Sequence, residues 1–410
     1  MRKISLLGKE DVPEYCELLL HAYTGFGLSE ARKERMLREF RSMPDSDRNE
    51  LYGVFRDGKM TGGMRLVNYR MELRGQRLAA GGIGAVAVGQ PHKKEGTARA
   101  MIRFALERFR AQGTGVAALQ PFRVDYYHRL GFGYGSRFRQ YRVEPEFLPD
   151  GPAAGIEILT PDDWLEVIQC HDEYMTGRDT LFELTVDDFE VLFGPERRLV
   201  GCRRDGRLCG YLSLGYEKEF VFQNNLVVHE MVYLDPAALR TLLAFLRNQG
   251  DQFRRVVFNT TEAMFHVLFA NPANGRNDAF ASHHIEYGTD GIGVMFRVTD
   301  TAGLFRQLGE GSFGPEELRL KITVRDEFLP ANSDSTVVHF RAGRPVVKPD
   351  GEWDAEMTVG INELSSLLVG AVDAAALLDY GLMTLSDAAR APAVARLFRT
   401  GRPPLCRSDF

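Results

Sequence analysis

A hairpin that occurs twice constrains this chain more than any other feature. Arg56-Asp57-Gly58-Lys59-Met60-Thr61-Gly62 recurs 148 residues later as Arg204-Asp205-Gly206-Arg207-Leu208-Cys209-Gly210. Each lies between alternating apolar and polar runs, and Asp-Gly suits the two left-handed positions of a tight hairpin turn. The opening from Ile4 to Tyr23, read as strand, acidic cap region and helix, is echoed by Ile156 to Trp164 at a similar offset. Two echoes in the same order predict a duplicated domain, with Pro149-Asp150-Gly151-Pro152 as the linker. A chain of 410 residues leaves room for a third domain. The expected division is 1–150, 151–290 and 291–410.

The two copies differ at one place. In the first, residues 81 to 98 read as a strand ending in a loop of small and cationic residues that opens onto a helix. Ala98, Met101, Ile102, Ala105, Leu106 and Phe109 form one apolar stripe of that helix, and Gly113 stops it. Unpaired N–H groups and the helix dipole at such a start suit an anion, and Lys93 and Lys94 add charge, so the segment reads as a pyrophosphate cradle. In the second copy the helix from Leu239 to Asn248 follows Asp235-Pro236, with no glycine loop and an aspartate that repels phosphate. That copy is expected to have lost anion binding.

Two familiar cradles are excluded. Gly-Lys-Ser/Thr is missing, so this is no Walker loop, and Gly82-Ile83-Gly84 lacks the third glycine and the acidic partner of a dinucleotide fold. Val86-Ala87-Val88 followed by Lys93-Lys94-Glu95-Gly96-Thr97-Ala98 instead resembles the acetyl-CoA motif of the GNAT N-acetyltransferases. Lys93 stands where that family usually has Arg or Gln, and Ala98 replaces its second glycine. Tyr127 stands four residues before Gly131-Phe132, matching the family's Tyr-x-x-x-Gly-Phe turn, where the tyrosine faces the thioester sulfur. The resemblance implies that Val86, Ala87 and Val88 meet the pantetheine arm and acetyl group. It implies that Lys93, Lys94, Gly96, Thr97 and Ala98 hold the pyrophosphate, mostly through the main chain.

From about Gly291 the chain reads as strands at Leu318 to Arg325, Thr336 to Phe340 and Ala355 to Ile361. Helices are expected at Glu363 to Leu368, Ala374 to Leu378 and Leu385 to Phe398. This α+β tail resembles a sterol-carrier-protein-like domain. Two tandem GNAT domains, the second degenerate, followed by such a tail resemble the enhanced-intracellular-survival (Eis) family. That resemblance implies an α+β chain that moves the acetyl group of acetyl-CoA to a primary amine, such as an aminoglycoside, polyamine or lysine side chain. It also implies a hexamer, and a general base at the C-terminal carboxylate of Phe410. Asp409 would reinforce binding of the substrate cation, and Tyr23, Phe26, Glu30 and Phe40 are candidate walls of the amine pocket.

The base role carries a physical condition. An α-carboxyl near pKa 3.5 and an ammonium near 10 are about 6.5 units apart, about 9 kcal/mol for direct transfer. The carboxylate can act only if burial raises its pKa, if the pocket favours the neutral amine, or if it chiefly stabilises the ammonium being formed. Rival readings are a non-catalytic acyl-CoA sensor or lipid-binding protein, and a transferase for a longer acyl group. A net charge of −5 argues against a general nucleic-acid partner. The longest apolar runs fall short of the ~20 residues of a membrane span, and Met1-Arg2-Lys3-Ile4 is too polar for a signal peptide. Five scattered cysteines without metal-ligand spacing fit a cytoplasmic protein without a metal.

Overall fold

Both Asp-Gly pairs adopt the left-handed turn that their sequence demands. The φ angles are +51° and +78° at Asp57 and Gly58, and +53° and +77° at Asp205 and Gly206. The computed structural model describes residues 3–23, 30–185, 188–219, 224–275 and 283–406. Each hairpin belongs to its own seven-stranded sheet.

The first unit begins with β1 (Lys3–Leu6), α1 (Val12–Ala22), α2 (Glu30–Ser42) and the hairpin β2 (Asn49–Arg56) and β3 (Lys59–Leu73). β4 (Gln76–Val88) leads through the cationic loop into α3 (Thr97–Ala111). β5 (Val116–Leu119), α4 (Val124–His128) and β6 (Gly133–Tyr134) follow. The apolar stripe of α3 is buried, with Met101, Ile102, Ala105, Leu106 and Phe109 packed against β3, β4 and β5. Gly81 makes this approach possible, because a Cβ there would lie 2.4 Å from the Phe109 ring.

The second unit repeats the plan with its own sheet. β7 (Arg137–Val143) comes first, then β8 (Ile156–Ile158), α5 (Trp164–Met175) and α6 (Phe189–Phe193). β9 (Arg198–Arg204), β10 (Arg207–Lys218), β11 (Asn224–Tyr233), α7 (Pro236–Arg247), β12 (Phe253–Thr260) and β13 (Thr289–Ile292) complete it. β11 and β12 pair parallel, as β4 and β5 do.

The chain passes from the first compact unit to the second at Ser136 and returns at Gly293, so the Pro149–Pro152 linker is not where the units part. β7 pairs with β12 in the second sheet, while Met295–Val298 is inserted between β5 and β6 in the first. Alternation along a strand shows which residues face a core but not which sheet the strand joins.

The tail, grouped with the first unit, has a five-stranded sheet of its own. The strands expected there form at Leu318–Arg325, Ser335–Arg341 and Ala355–Gly360, joined by Arg344–Val347 and Met383–Leu385. The helix expected from Leu385 to Phe398 is shorter, Ala391–Phe398. Met383–Leu385 pairs as a strand, Asp387 caps a separate turn, and Pro392 sits in the first helical turn. Among the described residues no helix is long and apolar enough to cross a membrane.

Candidate active site

Two features of the first unit open a site between β4 and β5. These strands pair only from Ala80–Val116 to Gly82–Ala118, yet β4 runs on to Val88, leaving its far end unpaired on that side. On the other side a bulge interrupts the ladder. The register jumps from Ala87–Gly63 to Gly84–Arg65, so Ala85 and Val86 together face Met64. Ala85 takes a left-handed φ of +47°, uncommon for a residue with a side chain.

Beyond the bulge the backbone alternates. Gly89 donates to Thr61 O at 2.9 Å, so Ala87, two residues back, also faces β3. Val86 and Val88 therefore turn their backbone groups away from β3, while both side chains pack on the core. Ala87 is buried and its backbone lies in the ladder, which removes it from the expected cofactor contacts.

The cationic loop ends in two left-handed residues, Lys94 at φ +65° and Gly96 at +81°. Gly96 is the N-cap of α3, and no side chain caps the helix. The N–H groups of Thr97, Ala98 and Arg99 have no intrahelical acceptor, so they and the positive end of the dipole are available to an anion. Thr97 is buried and Ala98 packs on the core. Lys93 and Lys94 are exposed beside them. Glu95 could oppose phosphate, but Arg56 from the β2–β3 hairpin reaches it at 3.2 Å.

Tyr127 projects from α4, whose end is closed by Phe132 N donating to Tyr127 O at 3.2 Å. Its side chain is 8% exposed. Burial, with Tyr23 and Tyr126 adding to it, pushes the phenol well above its usual pKa. The phenol thus stays protonated across the physiological range. No hydrogen bond reaches its hydroxyl among the described residues, and the buried hydroxyl of the neighbouring Tyr126 has none there either. Tyr126 stacks edge-on against it at 5.2 Å and packs on the core.

The other expected residues divide. The Tyr23 hydroxyl donates to Val86 O at 2.9 Å, and its ring meets Phe122 edge-on at 6.4 Å. Phe122 is 78% exposed and escaped sequence reasoning, because a lone Phe after Pro121 carries no periodic signal. Phe40, expected as a pocket wall, is instead buried in the core under α1, 5.7 Å from the Tyr15 ring. It sits near the C-terminal end of α2, on the buried side of an otherwise polar helix. Phe26, Asp409 and Phe410 lie outside the described residues, as does the Glu30 side chain. Tyr15, which sequence reasoning passed over, donates to Ala85 O at 2.6 Å.

In the second unit the matching place is filled. Asp235 caps α7, accepting from Ala237 N and Ala238 N at 2.9 Å each. Arg204 pairs with the same carboxylate. The Arg204 hydrogen bond, followed by those backbone donors, lowers its pKa to about 2.

An open helix start beside splayed strands and a buried phenol would suit an acyl carrier bearing a pyrophosphate. The comparisons agree. Residues 3–135 and 186–295 each match an acetyltransferase (GNAT) domain, and residues 306–407 match a sterol carrier protein domain. An uncharacterized N-acetyltransferase of Streptomyces avermitilis is 25% identical over 59% of this chain and 63% of its own length. Among solved structures, a GCN5-related N-acetyltransferase from Anabaena variabilis superposes with a TM-score of 0.82 at 15% identity, covering 98% of each chain. Eis1 from Mycobacterium abscessus gives 0.78 at 16%, covering all of both. The chain is a tandem GNAT acetyltransferase. It carries two GNAT domains and a sterol-carrier tail and shares its fold with Eis1 over its whole length, and GNAT domains use acetyl-CoA as cosubstrate.

Proposed function

We propose that the first GNAT domain transfers the acetyl group of acetyl-CoA to a primary amine of an aminoglycoside, a polyamine or a lysine side chain. The observation that carries this reading is the uncapped start of α3 beside the end of β4 left unpaired on the β5 side, with the buried Tyr127 phenol in the same unit. The backbone of Gly96, Thr97 and Ala98, with Lys93 and Lys94, would hold the pyrophosphate. The outward-turned groups of Val86 and Val88 would hold the pantetheine arm and polarise the acetyl carbonyl.

Acetyl-CoA supplies an activated acyl group. As the C–N bond forms and the C–S bond breaks, the bonding electron pair leaves on sulfur and the nitrogen sheds a proton. Tyr127 donates a hydrogen bond to that sulfur. With its pKa raised above a thiol's near 8.5, it stabilises the thiolate before it surrenders a proton. The Phe410 carboxylate would take the proton from nitrogen, with Asp409 favouring a cationic substrate; this part rests on the Eis-type resemblance. A hexamer rests on it too.

The test is thiol release from acetyl-CoA with polyamines, aminoglycosides and lysine peptides, comparing untagged protein with a form lacking Phe410. Turnover that collapses on truncation, with acetyl-CoA affinity kept, is the expected result. Tight acetyl-CoA binding without turnover in either form would instead favour a sensor or a longer acyl donor. Equal turnover in both forms would remove the base from Phe410.

A further inference from the structure

The bulge in β4 creates a difficulty that two tyrosines resolve. With Ala85 left-handed and two residues opposite one, the carbonyls of Ala85 and Val86 fall out of register with β3. A buried carbonyl without a donor is costly. Tyr15 and Tyr23, at the middle and the C-cap of α1, each bring a phenol to one of these carbonyls, at 2.6 and 2.9 Å. They reach across 70 and 63 residues of sequence to do so.

The Tyr15 contact is built into its surroundings. The residue is fully buried, and its ring crosses the sheet over Gly63, where a Cβ would lie 2.5 Å away. Gly63 is the residue opposite Ala87, immediately beside the bulge. The phenols leave the Val86 N–H and the Val88 backbone as the groups of this stretch still turned from the ladder and unclaimed by α1.

We infer that Tyr15 and Tyr23 are positioning residues for the pantetheine arm: by anchoring the two bulge carbonyls they set the direction in which Val86 and Val88 present their amides. This rests on the acetyl-CoA site proposed above. It assigns Tyr23 to the cofactor side of the site rather than to the amine pocket. It also separates two parts of cofactor binding, since the cradle at Gly96 holds the pyrophosphate and the bulge aims the arm.

That separation supplies the test. Affinities for CoA and for adenosine 3′-phosphate 5′-diphosphate, which keeps the pyrophosphate and lacks the arm, are measured by calorimetry on the full chain and on Tyr15→Phe and Tyr23→Phe. Phenylalanine keeps the ring over Gly63 and removes only the donor. Expected is a loss of about 10-fold for CoA in Tyr15→Phe, the scale of one forfeited buried hydrogen bond, with the adenosine 3′-phosphate 5′-diphosphate unchanged within about twofold. Tyr23→Phe should shift the same way by a smaller factor, and it serves alone if Tyr15→Phe does not fold. Unchanged CoA affinity in both variants, or equal losses for both ligands, would overturn the inference. A wild-type chain that binds both ligands yet shows no turnover would defeat the proposed reaction and leave this inference standing; one that binds neither would defeat both.

Discussion

Helices α3 and α7 occupy matching places in two copies of one fold, each following the strand after a duplicated Asp-Gly hairpin. At α3 the cap is a left-handed glycine without a side chain, and the acid one residue earlier, Glu95, is drawn aside by the hairpin's Arg56. At α7 the cap is Asp235, which satisfies two of the helix's own amides and is paired with the matching hairpin arginine, Arg204. The same arginine thus serves opposite ends. In one copy it pairs with Glu95 beside the proposed anion site, and in the other it pairs with the carboxylate that caps the helix. A duplicated domain can convert a binding site into a structural cap by moving one acid into the N-cap.

The comparison can be broken by importing one end into the other. Gly96→Asp should have the largest effect, because a carboxylate at the cradle opposes the pyrophosphate by about 4 kcal/mol at contact distance and also self-caps α3. Acetyl-CoA affinity should fall by about 100-fold or more, as read by calorimetry. Second in size is Tyr127→Phe, which leaves the cradle intact and should lower kcat by about 100-fold with little change in the acetyl-CoA KM. Equal turnover would remove Tyr127 from the chemistry.

Asp235→Ala should cost about 1 kcal/mol of stability and leave acetyl-CoA affinity unchanged, as measured by denaturant unfolding and calorimetry. Because the folded pKa is depressed to about 2, Asp235 stabilises above its unfolded value near 4 and loses that contribution as pH falls toward 2. The stability difference between wild type and variant should therefore shrink over that window; a difference that stays flat would assign the effect to something other than the ionised cap. The smallest effect belongs to Arg56→Gln, which releases Glu95 from a half-exposed ion pair and should raise the acetyl-CoA KM by about threefold.

These contrasts were legible in the sequence where they are local. The Asp-Gly hairpins, the stripe of α3 and the exchange of Gly96 for Asp235 are each written within a dozen residues, and they fold as local chemistry requires. The spacing of Tyr127 to Gly131-Phe132 marks the turn because the α4 end is itself a short-range motif. Long-range features were not legible. The partners of β7 and of Met295–Val298 depend on which sheet edge accepts them, and their alternation suits either. Tyr15 reads as an ordinary core residue until Gly63 and Ala85 are seen beneath it. Phe40 shows the converse, since its sequence position suits a pocket wall and its ring is core. Leu385 to Phe398 has helical periodicity throughout, but Leu385 pairs as strand with Met357 and Asp387 caps a separate turn before the helix.

The central claim is that one of the two GNAT domains holds the cosubstrate and the other has closed its site. Calorimetric titration of the full chain with acetyl-CoA tests it directly. One equivalent per chain, lost in Gly96→Asp and kept in Asp235→Ala, is the predicted result. Two equivalents per chain, or one that survives Gly96→Asp, would contradict it.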